Sequence, residues 1–155
     1  MGLEIERKFL VKDSSWRDAA LPGIRYVQGY MRFSKGVARA RVAGDKAFLT
    51  VKGEVSGVTR LEFEYPIPVA DALAILDGLC EGPRIEKTRF IVPFQGSRWE
   101  LDVFEGENKG LLIAELELER EDQPFARPPW LGDEVTSDFR YSNSNLARNP
   151  YSKWG

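Results

Sequence analysis

Short segments in which apolar and polar residues alternate dominate most of this chain. A period of two is typical of β-strands whose two faces meet different surroundings. The alternation predicts eight strands, at 3–11, 25–34, 37–43, 46–53, 59–67, 85–94, 97–104 and 111–120. Turn residues such as Gly44-Asp45 and Gln95-Gly96 separate several of them. The chain is therefore predicted to be mainly β.

Helical periodicity is confined to short stretches. After Pro68, apolar residues recur at helical spacing, which predicts a helix over 69–79. Shorter helical turns are predicted at 13–20 and 144–147. Three prolines in 123–134 predict a loop there. No repeat of fixed period and no linker divides the chain, so a single domain over residues 1–155 is expected.

The polar faces of the predicted strands carry full charges that are sorted by sign. On the first strand, Glu4, Glu6 and Lys8 share one face, opposite Ile5 and Phe9. The other charged faces are either basic (Arg39 and Arg41; Lys52; Lys87 and Arg89) or mostly acidic (Arg60, Glu62 and Glu64; Glu100 and Asp102; Glu115, Glu117 and Glu119). A solvated face would be expected to mix signs, because opposite charges relieve repulsion between neighbours.

Two architectures can produce such strands. One is an open antiparallel sheet whose charged face lies in water. The other is mainly β (α+β): an eight-stranded antiparallel closed β-barrel, a tunnel with a charged interior and a few helices packed outside. Two cations ~6 Å apart repel by roughly 3 kcal/mol at an effective dielectric constant near 20. Six converging cations therefore need a polyanion or acidic partners, and the sorted charges favour the tunnel.

The overall composition limits the classes of partner. Charged residues make up 30% of the chain and hydrophobic residues 43%, which is typical of a globular protein. A net charge of −2 provides no broad basic field, so no nucleic-acid partner is expected. No membrane association is expected, since no apolar run is long enough to span one and the start is unlike a signal peptide. The single cysteine, Cys80, is predicted to be a small buried thiol, and the expected location is cytoplasmic.

The chain contains no histidine. This absence excludes Ser-His-Asp and Cys-His catalysis and zinc sites that depend on imidazole. Any metal must be held by oxygen ligands, which favours Mg²⁺ or Mn²⁺ bound by carboxylates. Acid–base chemistry would fall to Glu, Asp, Lys or Tyr, or to a water on the metal.

With these residues in place, the chain resembles the CYTH superfamily, also called the triphosphate tunnel metalloenzymes. The opening Glu4-Ile5-Glu6-Arg7-Lys8 looks like the ExExK signature of that superfamily. Further matches follow in the family's order and extend the resemblance over about residues 3 to 146: Arg39-Ala40-Arg41, Thr50-Val51-Lys52, Glu62-Phe63-Glu64, Glu86-Lys87-Thr88-Arg89, Glu100-Leu101-Asp102-Val103-Phe104, Glu115-Leu116-Glu117 and Arg140-Tyr141-Ser142-Asn143.

The resemblance implies roles for these residues. Those implied as metal ligands are Glu4, Glu6 and Glu117, with Glu115 a weaker candidate; those implied to bind phosphate are Lys8, Arg39, Arg41, Lys52, Lys87 and Arg89. Glu62, Glu64 and Lys87 form the candidate catalytic set, in which the two carboxylates hold a second metal or position the attacking water. Asp102 is either a metal ligand through water or a counterion for an arginine. Arg140 and Tyr141 either approach one tunnel mouth or serve in packing.

Members of this superfamily include inorganic triphosphatases, thiamine triphosphatases, class IV adenylate cyclases and RNA triphosphatases. The chain looks most like the small bacterial inorganic triphosphatases, which implies metal-dependent hydrolysis of triphosphate to diphosphate and phosphate. A cyclase would need a base to stack on an aromatic residue such as Tyr30, Phe33 or Phe48, each of which is also explained by packing. A non-catalytic polyphosphate-binding module would not need the metal carboxylates. Whether the protein forms a homodimer is left open.

Overall fold

The computed structural model describes residues 2–154. The strands of this part of the chain are β1 (Leu3–Val11), β2 (Ile24–Phe33), β3 (Gly36–Ala43), β4 (Lys46–Gly53), β5 (Thr59–Ile67), β6 (Glu81–Phe94), β7 (Ser97–Phe104), β8 (Leu112–Glu117) and β9 (Leu131–Glu134). The helices are α1 (Val69–Gly78) and α2 (Asn143–Arg148). Short 3₁₀ turns lie at Ser15–Asp18, Gly106–Asn108, Phe139–Tyr141 and Tyr151–Lys153.

Eight of the strands form one closed antiparallel sheet. Their order around the ring is β5-β4-β3-β2-β6-β7-β8-β1, and β1 pairs back with β5. That closing contact is short, running from Leu3 opposite Leu61 to Ile5 opposite Thr59. The ring confirms the predicted fold class.

The structure differs from the predicted elements at three places. Residues 131–134, predicted as part of a loop, form β9, which pairs with β1 opposite Phe9 and Val11. Strand β6 begins at Glu81, four residues before its predicted start at 85, and β8 ends at Glu117. Four residues are too few to show a period, so the partner strand rather than the local pattern defines β9.

Apolar side chains of β1, β6, β7 and β8 form the larger core on the outside of the ring. This core centres on Trp99, which packs edge-on against Phe9 and Trp130 with ring centroids 5.6 and 5.7 Å away. The 3₁₀ turn that carries Trp16 and the proline-rich segment before β9 close over it. A second core lies on the inward face of the ring, where Leu146 of α2 packs with Ile85 of β6 and Phe104 of β7.

The outer face of β5 is less well covered. Leu61, Phe63 and Tyr65 alternate along this strand and are exposed, as are the neighbouring Leu3 and Val51. Helix α1 packs instead on β2, β3 and β4. The expectation that helices and loops cover the outer face therefore holds for most of the ring but not for β5.

Two further findings concern the predictions about membrane association and about the single cysteine. Neither helix described between residues 2 and 154 has the length and hydropathy needed to cross a membrane. Cys80 is half-buried, and burial raises the pKa of its thiol, as expected for a structural cysteine.

Candidate active site

A cavity of about 150 Å³ lies inside the ring. Strand side chains alternate, so the face opposite the outer core points into this space. Its walls are almost entirely polar. The charged side chains that line it are Glu4, Glu6, Lys8, Arg39, Arg41, Lys52, Arg60, Glu62, Glu64, Arg89, Glu100, Glu115 and Glu117.

The strand order explains why the charges are sorted by sign. Strands β6, β2, β3 and β4 are neighbours and form one arc of the ring, which carries most of the lining cations. Strands β5, β1, β8 and β7 form the opposite arc, which carries the lining carboxylates together with Lys8 and Arg60. The cavity therefore has a cationic wall that faces an acidic wall.

Ion pairs join the two walls where the arcs meet. Arg89 of β6 donates to both oxygens of Asp102 at 2.7 and 2.9 Å and to Glu115 at 2.9 Å. At the other junction, Lys52 of β4 lies 3.4 Å from Glu4. These pairs balance only part of the positive charge.

The middle of the cationic wall lacks such compensation. Within residues 2–154, Arg41 has no carboxylate partner; its Nε donates to Gln28 at 2.7 Å. Burial and repulsion from Arg39 and Arg89 lower the pKa of Arg41 to about 10. The buried Nε of Arg39 has no hydrogen-bond acceptor among the described residues. Unpaired guanidinium donors in a concave site indicate an anionic ligand.

The acidic wall contains a tight group of carboxylates. Oxygens of Glu6, Glu100 and Glu115 lie within 4.8 Å of one another. Burial and the charges of Glu115 and Glu4 raise the pKa of Glu6 to about 8, whereas nearby cations, led by Lys8, overcome burial and lower the pKa of Glu115. Three close oxygen ligands of this kind suit a hard divalent cation.

The predicted metal ligands and this carboxylate group have Glu6 and Glu115 in common but differ in their other members. All four predicted ligands, Glu4, Glu6, Glu115 and Glu117, line the cavity. The predicted metal ligands did not include Glu100, although the alternation in β7 places it on the same face as Asp102. Strand pairing, which alternation alone does not reveal, brings it next to Glu6.

A second carboxylate pair lies beside Lys52. Burial and a hydrogen bond with Glu4 raise the pKa of Glu62 to about 7. Burial opposes ionisation of Glu4, but the bond to Glu62 and the charges of Lys52 and Arg60 lower its pKa to about 2. Near neutral pH Glu62 is therefore partly protonated, whereas Glu4 is ionised. Arg60, which donates to Glu4 at 3.2 Å, was not among the predicted binding residues.

Glu64, the other carboxylate of the predicted catalytic set, has different surroundings. Glu64 accepts from Thr50 at 2.8 Å and from Arg39 at 3.2 Å. It therefore lies on the cavity lining and is bonded to the cationic wall.

Lys87 lies behind the cavity lining instead of on it. Its ammonium is fully buried and donates to Asp102 at 2.6 Å and to Asn143 at 3.1 Å. Burial lowers its pKa to about 7, although Asp102 opposes the shift. Asp102 is buried and bonded to Lys87 and Arg89, so its geometry is that of a counterion.

The aromatic residues considered for base stacking occupy different places. Tyr30 lines the cavity, and its hydroxyl accepts from Gln28 at 2.7 Å. Phe33 is exposed at the end of β2. Phe48 lines a separate surface groove with Pro66 and Pro68. Packing or surface exposure accounts for the two phenylalanines.

The C-terminal segment closes over one side of the cavity. Ser142, Asn143 and Ser144 line it, a contribution that sequence reasoning missed. Arg140 is exposed and paired with Asp138, and its guanidinium stacks over Tyr141 and Trp154 at 5.5 and 5.2 Å. Neither Arg140 nor Tyr141 is among the residues that line the cavity, and both contact Trp154.

A crevice of about 370 Å³ adjoins the cavity at the gap between β1 and the β4–β5 hairpin. It shares Glu4, Glu6, Lys8, Arg60 and Ser142 with the cavity. Its other walls include apolar side chains, among them Val55, Val58 and Phe139. A group attached to a ligand in the cavity would extend into this crevice.

A closed eight-stranded sheet around a cavity with one cationic and one acidic wall defines a class of tunnel protein built for a short polyanion and a cation. The sequence matches the CYTH domain family over residues 2–151, and the chain belongs to that family.

Similar proteins with established names agree with this assignment. The chain is 52% identical over 155 residues to an inorganic triphosphatase from Acetivibrio thermocellus, with 99% of each chain covered. It is 41% identical over 149 residues to an inorganic triphosphatase from Nitrosomonas europaea, covering 93% of this chain and 96% of the relative. A solved structure of an inorganic triphosphatase is 39% identical with a TM-score of 0.67, and 93% of each chain is covered.

Proposed function

We propose that this protein hydrolyses inorganic triphosphate to diphosphate and phosphate in the charged cavity, with the help of a divalent metal ion. The observation that carries the proposal is the cationic wall, where Arg41 and the Nε of Arg39 have no acidic partner among the described residues. The two relatives named inorganic triphosphatase support the same reaction.

The residues proposed to bind phosphate are those of the cationic arc with Lys8. Arginine forks match phosphate oxygens in pairs, and lysine contributes a point charge. Arg39, Arg41 and Arg89 line the cavity and are proposed to contact the chain of phosphates. Lys87 lies behind them and is proposed to contribute charge from its buried position. Positioning and charge neutralisation are the main requirements of phosphoryl transfer.

The acidic arc fits a divalent metal such as Mg²⁺ or Mn²⁺. Glu6, Glu100 and Glu115 form the tightest group of oxygens, and Glu4 and Glu117 line the same cavity. Partial neutralisation of Glu6, whose pKa is raised to about 8, shows how unfavourable this group is without a countercharge. A bound metal would supply Lewis-acid neutralisation of the phosphoryl oxygens.

Glu62 is proposed to accept a proton from the attacking water. Its pKa of about 7 is near neutral, where a general base works best, and it lines the cavity opposite the arginines. Only the ionised form of Glu62 can accept that proton, and this form becomes the majority as the pH rises above about 7.

The test is an assay with tripolyphosphate, ATP and thiamine triphosphate in the presence of Mg²⁺ or Mn²⁺, with release of phosphate and of cyclic AMP measured. Phosphate from tripolyphosphate is the expected product, and cyclic AMP from ATP would contradict the proposal. Glu6→Gln should lower turnover at least about 100-fold, since several kcal/mol of charge stabilisation depends on the metal. Glu119→Gln, which changes an exposed carboxylate beyond the end of β8, is the matched control.

The apolar crevice favours a second candidate, a triphosphate that carries an organic group. Its walls would contact a base or a thiazole attached to the phosphate chain. Faster turnover of ATP or thiamine triphosphate than of tripolyphosphate in the same assay would support this alternative.

A further inference from the structure

Asn143, at the start of α2, lines the cavity with an amide whose two ends have different surroundings. Its Oδ1 accepts from Lys87 at 3.1 Å and from Gln28 at 3.4 Å. Within the part of the chain that the structure describes, its Nδ2 has no hydrogen-bond acceptor. The side chain therefore offers two unused N–H donors at the cavity wall.

The orientation of this amide follows from the donors around it. Arg41 can only donate, so the atom of Gln28 that faces it must be the amide oxygen. The nitrogen of Gln28 then faces Tyr30 and Asn143, which requires the oxygen of Asn143 on that side. The ammonium of Lys87, which is paired with Asp102, can also only donate, so it independently requires the oxygen of Asn143 on its side. Both neighbours thus turn Nδ2 of Asn143 away from them.

From this geometry we propose that Asn143 is a further substrate-binding residue, whose Nδ2 donates a hydrogen bond to a phosphoryl oxygen of the triphosphate. This inference rests on the proposed function. It makes the C-terminal segment part of the binding site, because the same side chain also bonds to β2 and β6 through Gln28 and Lys87. Arg32 anchors the segment further by donating to the carbonyl oxygen of Ser144 at 2.8 Å.

The substitution that isolates this role is Asn143→Asp. The carboxylate keeps an acceptor for Lys87 and Gln28 but removes both donors and places negative charge against the phosphate chain. A hydrogen bond to a charged group is worth enough to expect a rise of at least about tenfold in KM for tripolyphosphate. Asn143→Ala removes the donors without adding charge, and it should raise KM in the same direction by less.

Asn149→Asp is the matched control. Asn149 follows α2 in the same segment and is exposed, so the variant adds the same charge outside the cavity. Its KM should stay within about twofold of the wild type. Hydrogen exchange supplies a second readout: tripolyphosphate should increase protection of residues 142–148 in the wild-type protein and not in Asn143→Asp.

The outcomes separate this inference from the proposed function. If the wild type turns over tripolyphosphate but Asn143→Asp and Asn143→Ala keep its KM and its ligand-induced protection, the inference is overturned and the proposed function stands. A variant with a lowered melting temperature and an unchanged KM assigns Asn143 a purely structural role, which also overturns it. If the wild type does not bind tripolyphosphate, the proposed function fails first.

Discussion

At the scale of single residues, the site depends on charges that are tolerated only because of their neighbours. Asp102 is the clearest case, since its carboxylate is buried between Lys87 and Arg89. Burial raises its pKa, but the two cations more than compensate and leave the pKa lowered. Removing the negative charge of Asp102 would leave the buried Lys87 and Arg89 without the counterion that they share.

Asp102→Asn should therefore destabilise the protein by about 3–5 kcal/mol, the usual cost of breaking a buried ion pair on one side. Urea unfolding followed by tryptophan fluorescence would measure the change. Because an anion can replace the lost charge, added sulfate or phosphate should recover part of the stability. Asp122→Asn, at an exposed pair with Arg120, should change stability by less than about 1 kcal/mol. An Asp102→Asn protein as stable as the wild type would contradict the role of Asp102 as the stabilising counterion of Lys87 and Arg89.

The raised pKa of Glu6 predicts how metal affinity depends on pH. Below a pKa of about 8 this carboxyl is mostly protonated in the metal-free protein, so a metal ion must displace its proton. Apparent affinity for Mn²⁺ should rise by up to about tenfold per pH unit below pH 8 and then level off. Calorimetric titration with Mn²⁺ between pH 6.5 and 9 would test this. Affinity that is independent of pH over that range would contradict the placement of the metal at Glu6.

At the scale of elements, the position of each charge depends on strand register. Gly36 begins β3 and pairs with Gly53 at the tip of the ladder that carries Lys52. A Cβ on Gly36 would overlap the carbonyl oxygen of Lys52, which is backbone and cannot rotate away. A side chain at Gly36 would therefore displace the backbone of Lys52, whose side chain lines the cavity.

Gly36→Ala should destabilise the protein by about 1–3 kcal/mol, typical of overpacking, and should raise KM for triphosphate because Lys52 shifts. Thermal unfolding and steady-state kinetics measure the two effects. Gly78→Ala is the control, since the added methyl group would meet nothing within 4 Å and lies at the end of α1. That variant should be neutral or slightly more stable. Equal behaviour of the two variants would contradict the steric argument.

At the scale of the whole molecule, the closed sheet places thirteen charged side chains around one cavity. The ion pairs between the two arcs leave Arg41 without a carboxylate partner among residues 2–154, so a polyanion and a metal ion should stabilise the folded state. Ligands that bind only the folded state stabilise it by about 2.7 kcal/mol at a concentration of 100 times Kd.

For a chain of this size, that corresponds to a rise in melting temperature of roughly 5–10 °C. Scanning fluorimetry with tripolyphosphate and Mg²⁺ should show such a shift, and it should shrink as NaCl rises because salt screens the interaction. Arg41→Gln should reduce the shift, since it removes a cavity cation for which residues 2–154 provide no carboxylate partner. A shift that is the same at low and high salt would contradict an electrostatic origin.

The sequence alone determined which face of each strand is charged, because alternation with a period of two is a local property that β-strands impose. The sorting of those charges by sign predicted the closed sheet and most of the cavity lining, from Glu4 to Glu117, and the resemblance of the ordered motifs predicted the family. Tertiary structure decided which charges meet. Glu100 joins Glu6 because β8 pairs with both β7 and β1, and Lys87 gains Asn143 as a hydrogen-bond partner because α2 docks beside β6. Such contacts join residues far apart in the chain, and the local pattern carries no information on register across strands or on where a terminal segment docks.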